Sequence, residues 1–242
     1  MSDKPDKYYV SDNIFYDFEL GAFYKEIEGK SDLLIKKITN SNFKKELSDY
    51  GWDELDFLWN IELGDKFMLL DCGSHGDCLF HCLAEAINLN NIYKGDLTNL
   101  LDVETLRLKA SNEITDTNFD FILQNYKIEK AECEFQGDWD PDNIETKEQL
   151  RGELCKTGNN FWGDHIIIQL LSQNLKKNII VLNGDEDFEK LSYNTVETTG
   201  SKGYIIIYFE NNCHYKLVGK FNGKKINTLF NKLPKNLLDL EN

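Results

Sequence analysis

The spacing of apolar and polar residues changes along this chain, and each change marks an element. Phe67-Met68-Leu69-Leu70 is a short continuous apolar run, which predicts a buried strand, and the small polar stretch Asp71-Cys72-Gly73-Ser74-His75-Gly76-Asp77 predicts a tight loop. From Cys78 onward Leu79, Phe80, Cys82, Leu83, Ala86 and Ile87 recur at helical spacing, so a helix begins at Cys78 with its apolar face in the core. Further helices are predicted over residues 103–114, 118–126, 146–156 and 163–175, with Thr115-Asp116-Thr117 supplying capping residues between the first two. Gly137, Trp139 and Pro141 interrupt any period in the acidic run 131–143, which reads as a loop. Strands are predicted over 178–182, 204–209 and 214–218, the last two joined as a hairpin by Glu210-Asn211-Asn212-Cys213. Before residue 65 aromatic and acidic residues mix, and the apolar spacing over 31–47 suits one or two short amphipathic helices. Helices in the middle and strands late in the chain make this an α+β domain.

Composition narrows the classes. With 242 residues the chain can bury one sizeable core, and 3 prolines leave little room for an extended linker. The expected organisation is an N-terminal extension over 1–64 packed on the core, a catalytic domain over 65–220 and a C-terminal segment over 221–242, forming a monomer. The formal net charge of −15 speaks against a nucleic-acid partner, because phosphate binding needs clustered lysine and arginine. The acidity serves solubility first and suits a basic partner surface. No apolar run approaches the roughly 20 residues of a spanning helix, so no membrane association is expected. The opening MSDKPDKYYVSD lacks a basic region followed by an apolar stretch, so no signal peptide is expected. Six irregularly spaced cysteines then read as reduced thiols of a cytoplasmic protein. Abundant Lys, Asn and Ile suit the AT-rich genome of a virus or an intracellular bacterium, in which case the compartment is the host cytosol.

The candidate chemistry starts at Cys78. A thiol at a helix N-terminus sits where unpaired N–H groups and the helix dipole favour the thiolate, and the glycine-containing loop before it can aim further N–H groups at a developing oxyanion. His214 opens an apolar strand behind a polar turn, a rigid placement for a general base. His81 and His165 lie within predicted helices and read as packed or surface residues, and Cys82, Cys133 and Cys155 as inert thiols. Cys72, His75, Cys78 and His81 recur every third residue and are permitted zinc ligands. Four ligands so spaced across a loop and a helix start cannot easily close a tetrahedron, so no metal site is expected.

Gly76-Asp77-Cys78-Leu79-Phe80-His81-Cys82-Leu83 resembles the nucleophile motif of the ovarian-tumour (OTU) family of cysteine proteases. Leu106-Arg107-Leu108 with Asn118-Phe119-Asp120-Phe121 resembles that family's Leu-Arg helix and the segment after it. Trp162-Gly163-Asp164 resembles its Trp-Gly-Gly turn, and Cys213-His214-Tyr215 its Asn-His-Tyr histidine motif. The resemblance runs over about 67–218. It implies a papain-like fold, a small central β-sheet flanked by helices, and a deubiquitinase with no cofactor, whose partners are ubiquitin or polyubiquitin chains. It implies Cys78 as nucleophile, His214 as base, backbone N–H groups at His75, Gly76 and Cys78 as the oxyanion hole, and Trp162 and Gly163 in the substrate channel. Asp138, Asp140 and Asp142 are candidates to meet the basic ubiquitin tail.

Two positions depart from the family pattern. His75 stands where an Asp is usual, which spares a backbone role. Lys216 stands where many members carry the Asp or Asn that orients the imidazole, and lysine cannot accept that hydrogen bond. Asp71 is then the expected third member, with Asn212 and Asp77 behind it. The alternatives are a ubiquitin-binding module without activity and a protease for a ubiquitin-like modifier.

Overall fold

The computed structural model describes residues 6–28, 33–184 and 191–235 together with Leu237. The expectation for the first five residues, and that for most of the chain beyond 235, lie outside these residues. The chain opens with β1 (Lys7–Tyr9), β2 (Ile14–Asp17), β3 (Ala22–Glu28) and β4 (Leu33–Lys37), paired in chain order as an antiparallel sheet. The helices expected over 31–47 therefore reduce to α1 (Phe43–Leu47). Pairing decides this: β4 lies along β3 with Ile35 opposite Glu26, and aromatic cross-strand pairs such as Tyr16 on Phe23 hold β2 to β3, so tertiary contacts override helical spacing.

The main sheet is built from β5 (Trp52–Glu54), then, after α2 (Phe57–Leu63), β6 (Phe67–Leu70), and four later strands. Between them come α3 (Cys78–Tyr93), α4 (Val103–Asn112), α5 (Phe119–Ala131), α6 (Lys147–Leu154) and α7 (His165–Leu175). The sheet resumes with β7 (Asn178–Asn183), β8 (Tyr193–Val196), β9 (Tyr204–Glu210), β10 (His214–Phe221) and β11 (Ile226–Asn227). Its order is β5-β6-β10-β9-β7-β8, with β11 on β10; β7 and β9 are parallel and the other pairs antiparallel. β5 and β11 lie outside residues 65–220 yet are hydrogen-bonded into the same sheet.

Alternation along the strands separates two layers. Met68, Leu70, Leu217 and Ile207 face a core built around α3, where Leu79, Phe80, Leu83 and Ala86 are fully buried and which also holds Ile14 and Phe23 of the N-terminal sheet. Phe67, Leu69, Ile206 and Val218 face the opposite layer under α2, whose Trp59 is fully buried and donates from Nε1 to Asn183 O at 2.7 Å. Each such side chain contributes about 1.5–3 kcal/mol by leaving water. α3, with Cys78 at its start, and β10, with His214 at its start, are thus both anchored in this core. No helix of the described residues is long and apolar enough to cross a membrane.

Candidate active site

The loop 71–77 carries the chain from β6 into α3, and three of its residues take positive φ, Gly73 at 145° among them. His75 takes φ 63° and Gly76 φ 82°. A Cβ on Gly76 would lie 2.3 Å from Gly158 O, so the residue before Asp77 must be glycine for loop 71–77 to pack against the 158–160 turn. Asp77 is the N-cap residue of α3 by position, but its side chain does not cap the helix. Its Oδ1 instead accepts from Arg107 Nε at 2.8 Å and Nη2 at 2.5 Å, and its Oδ2 from Gly158 N–H at 2.7 Å. By contrast the N-cap carboxylates of α4 and α7, Asp102 and Asp164, do bond their helices. The first turn of α3 thus keeps its N–H groups free of a side-chain cap at the residue expected to react.

Cys78 is 4% exposed. Burial pushes its thiol pKa up, the backbone N–H groups of Tyr215, Leu79 and Cys78 itself pull it back, and the negative charge of Asp71 pushes it up again; the net is upward. The helix N-terminus therefore does not prevail as the sequence led us to expect, because desolvation outweighs it, and the resting group is a neutral thiol. A cleft of about 320 Å³ opens beside it, bordered by Trp162 and Gly163, by Glu129 and Glu134, and by Asn212 and Cys213. Gly163 is there for space: a Cβ on it would fall 2.5 Å from Leu79 Cδ2, on the first turn of α3.

His214 is positioned by the β9–β10 hairpin. Asn211 and Asn212 take φ 50° and 52°, and Cys213 N–H donates to Glu210 O at 3.1 Å, the pattern of a type I′ turn, which asparagine tolerates well. The hairpin register sets His214 opposite Glu210, and Tyr215, the next residue, meets α3 where its carbonyl accepts from Cys82 Sγ at 3.4 Å. His214 Nε2 lies 3.1 Å from Asp71 Oδ1. The carboxylate is off the direction of the ring N–H, so the pair is close without being an aligned hydrogen bond. Asp71 Oδ1 also accepts from Gly73 N–H at 3.1 Å. Lys216 turns to Glu210, Nζ to Oε1 2.7 Å. Of the three acids and amides named from sequence, Asp71 reaches His214, Asn212 borders the cleft, and Asp77 is engaged by Arg107.

Other expectations shift. Asp140 and Asp142 pair with Lys130 at 2.5 and 2.7 Å, and Asp138 and Asp140 line a separate hollow of about 460 Å³. The carboxylates on the Cys78 cleft are Glu129, Glu134 and Asp164, while Lys130 draws Asp140 and Asp142 onto α5. Trp139 is a loop anchor, stacked on Phe161 at 5.1 Å and 11°. His81 is half-buried on α3 and His165 exposed on α7. Among the described residues no group of three or more His, Cys, Asp and Glu has a metal-holding arrangement.

Sequence reasoning named Arg107 only within the Leu-Arg motif and gave its side chain no role. It is fully buried, donates to Phe161 O at 2.8 Å and Leu154 O at 3.0 Å in addition to Asp77, and lies 4.1 Å over the Phe80 ring. It thereby ties the Cys78 loop to the segment leading into Trp162. The signal was available: an arginine on the apolar face of a predicted helix needs an acid in the core.

A family model described as OTU-like cysteine protease matches residues 73–215. No curated protein matches the chain. Among solved structures, an OTU domain in complex with ubiquitin is 20% identical, with 72% of this chain and 81% of that one covered at a TM-score of 0.46. An OTU deubiquitinase from Wolbachia pipientis wMel bound to ubiquitin is 11% identical, covering 66% and 99%, TM-score 0.46. The viral OTU domain protease of Taggert virus is 14% identical, covering 88% and 97%, TM-score 0.41.

Proposed function

Because this chain belongs to the OTU-like cysteine protease family, we propose that it is a deubiquitinase that hydrolyses the isopeptide bond after the C-terminal glycine of ubiquitin. The observation that carries this reading is the convergence of three segments: Cys78 at the uncapped start of α3, the β10 backbone beside it, and Asp71 Oδ1 3.1 Å from His214 Nε2. With Nε2 turned to Asp71, the other ring nitrogen is left to act on the thiol.

In this mechanism His214 takes the Cys78 proton as sulfur attacks the carbonyl carbon, and the tetrahedral oxyanion is held by N–H groups of Cys78 and the His75–Gly76 region. Collapse expels the lysine amine, which His214 protonates, and leaves a thioester. Water, deprotonated by His214, releases the ubiquitin carboxylate and restores the thiol. Since burial keeps the resting thiol neutral, the base is required for attack. Asp71 positions the imidazole, the role left open by Lys216. The basic tail of the modifier runs past Trp162 and Gly163, facing Glu129 and Glu134.

The test is capture by ubiquitin carrying a C-terminal alkyne or vinyl electrophile, read by mass. The wild type forms a one-to-one adduct and Cys78→Ala none. Asp71→Asn slows turnover by about one to two orders of magnitude, part of what general-base catalysis supplies. Absence of an adduct while Cys78 still reacts with a small alkylating reagent would sink ubiquitin hydrolysis and leave a binding module or another modifier.

A further inference from the structure

The two faces of α2 differ sharply. Trp59 is fully buried beneath the helix, while Phe57, Leu58 and Ile61 are 77%, 46% and 65% exposed and are neighbours on the outward face by their three- and four-residue spacing. The tryptophan already anchors α2, so packing gives no reason to hold a phenylalanine, a leucine and an isoleucine together in water. Large apolar side chains grouped on a surface mark contact with another protein. Their electrostatic frame is one-sided: from Trp52 to Asp65 the chain carries five acids, Asp53, Glu54, Asp56, Glu62 and Asp65, and no lysine or arginine. Glu54 pairs with Lys44 at 3.0 Å, and Asp56 caps α2 and accepts from the Tyr208 hydroxyl. Asp53 and Asp65 are exposed and have no ion pair among the described residues.

The acidic frame decides between occupants. A second copy of this chain would bring two acidic rims together on molecules of net charge −15, and an anionic lipid surface would meet the same repulsion. A protein whose own apolar patch is bordered by lysine and arginine is attracted instead. Ubiquitin presents such a surface beside its basic tail. We propose that α2 docks a second ubiquitin, next to the one whose tail enters the cleft at Cys78. Position supports this: a hollow of about 240 Å³ is lined both by Asp53, Glu54 and Asp56, which lead into α2, and by Asp71, Glu210 and Lys216 around the His214 hairpin. No residue of α2 lines the Cys78 cleft, and α2 lies on the opposite face of the sheet from α3, so the two contacts are adjacent and separate. The assignment rests on the deubiquitinase reading above, and makes a ubiquitin chain a better substrate than a single modifier.

The test uses the full chain, first joined at Cys78 to ubiquitin carrying a C-terminal alkyne, which fills the first site. Free ubiquitin is then titrated into this adduct and followed by calorimetry. Saturable one-to-one binding is expected, weakening as salt is raised and the charges are screened. Phe57→Ser and Ile61→Lys, each checked for an unchanged thermal melt, should weaken it by about tenfold or more, the cost of losing a central apolar anchor. The double substitution Asp53→Lys and Asp65→Lys should weaken it as well, by reversing the rim charge. Alkyne capture should keep its wild-type rate in every variant, because the first ubiquitin does not touch α2. No binding to the adduct, or binding that these substitutions leave unchanged, overturns the proposal. Slowed capture overturns it too, by assigning α2 to the first ubiquitin. If no adduct forms, the deubiquitinase reading fails instead, and the titration is made on the unmodified chain. Binding that is lost in Phe57→Ser then upholds α2 as a docking surface for ubiquitin, and its absence refutes it.

Discussion

Replacing Arg107 by methionine keeps most of the buried volume and removes the charge and every donor. Five bonds disappear, to Asp77 Oδ1 at 2.8 and 2.5 Å, to Phe161 O at 2.8 Å, to Leu154 O at 3.0 Å and to Gly76 O at 3.4 Å, with the cation–π contact on Phe80 at 4.1 Å. Breaking a buried pair by removing one partner costs about 3–5 kcal/mol, because the other charge stays behind. Asp77 keeps the Gly158 N–H at 2.7 Å and its side chain is 13% exposed, which places the cost at the lower end, about 3 kcal/mol. With a urea m-value of about 3 kcal/mol/M, the unfolding midpoint falls by about 1 M. Urea titration followed by far-UV circular dichroism measures it, and the double variant with Asp77→Asn should cost less than the sum of the singles by at least about 1 kcal/mol. The variant should also slow electrophile capture, since both the Cys78 loop and the approach to Trp162 lose their common anchor. A midpoint shift under about 0.3 M, or strict additivity, would refute the clamp.

Two further outcomes follow from charge and burial. The rate of Cys78 alkylation by a neutral reagent, isolated by comparison with Cys78→Ala, should rise with pH to an inflection above that of an ordinary thiol, and Asp71→Asn should move the inflection down by removing a neighbouring negative charge; an inflection below that of free cysteine contradicts the desolvation argument. Glu46 is 4% exposed, pairs with Lys36 at 2.6 Å and Lys25 at 3.3 Å, and its carboxyl is held low chiefly by the Lys36 bond; its folded pKa lies below the unfolded one, so its stabilisation is present above the unfolded value and lost as pH falls through the folded one. Glu46→Gln should therefore lower the melting temperature at pH 7 and converge on wild type in acid, and an equal deficit at both pH values would argue against linkage.

The catalytic half of the fold was legible because its signals are local. A polar loop ending at Cys78, an apolar-faced helix after it, and an Asn-Asn turn before His214 are each written within a few residues, and all three appear where the periodicity placed them. The N-terminal sheet was not legible, since β4 (Leu-Leu-Ile-Lys-Lys) carries no alternation and becomes a strand only by pairing with β3. The same limit applied to the acidic loop: its sequence shows the carboxylates but not Lys130, ten residues before Asp140, which turns them from the cleft. The role of Asp77 was hidden for a similar reason, because Arg107, its partner, lies thirty positions on.

Lys216 shows how a departure read from sequence becomes intelligible in the sheet. β6 and β10 are antiparallel with Leu70 opposite Leu217, so continuing the ladder by one residue brings Asp71 opposite Lys216, and both border one hollow. The carboxylate absent two residues after His214 on its own strand is supplied from across the ladder, by the first residue after β6, and reaches Nε2 at 3.1 Å. Lys216 stays compatible with this because Glu210, the hairpin partner of His214, takes its charge at 2.7 Å. Cross-strand neighbours in an antiparallel pair lie about 4.5–5.5 Å apart at Cβ, so an acid can change strands with little change in where its oxygens fall. The third position of the proposed triad is thus set by the β6–β10 register and not by any spacing from the histidine, which is why a search along β10 alone would have missed it.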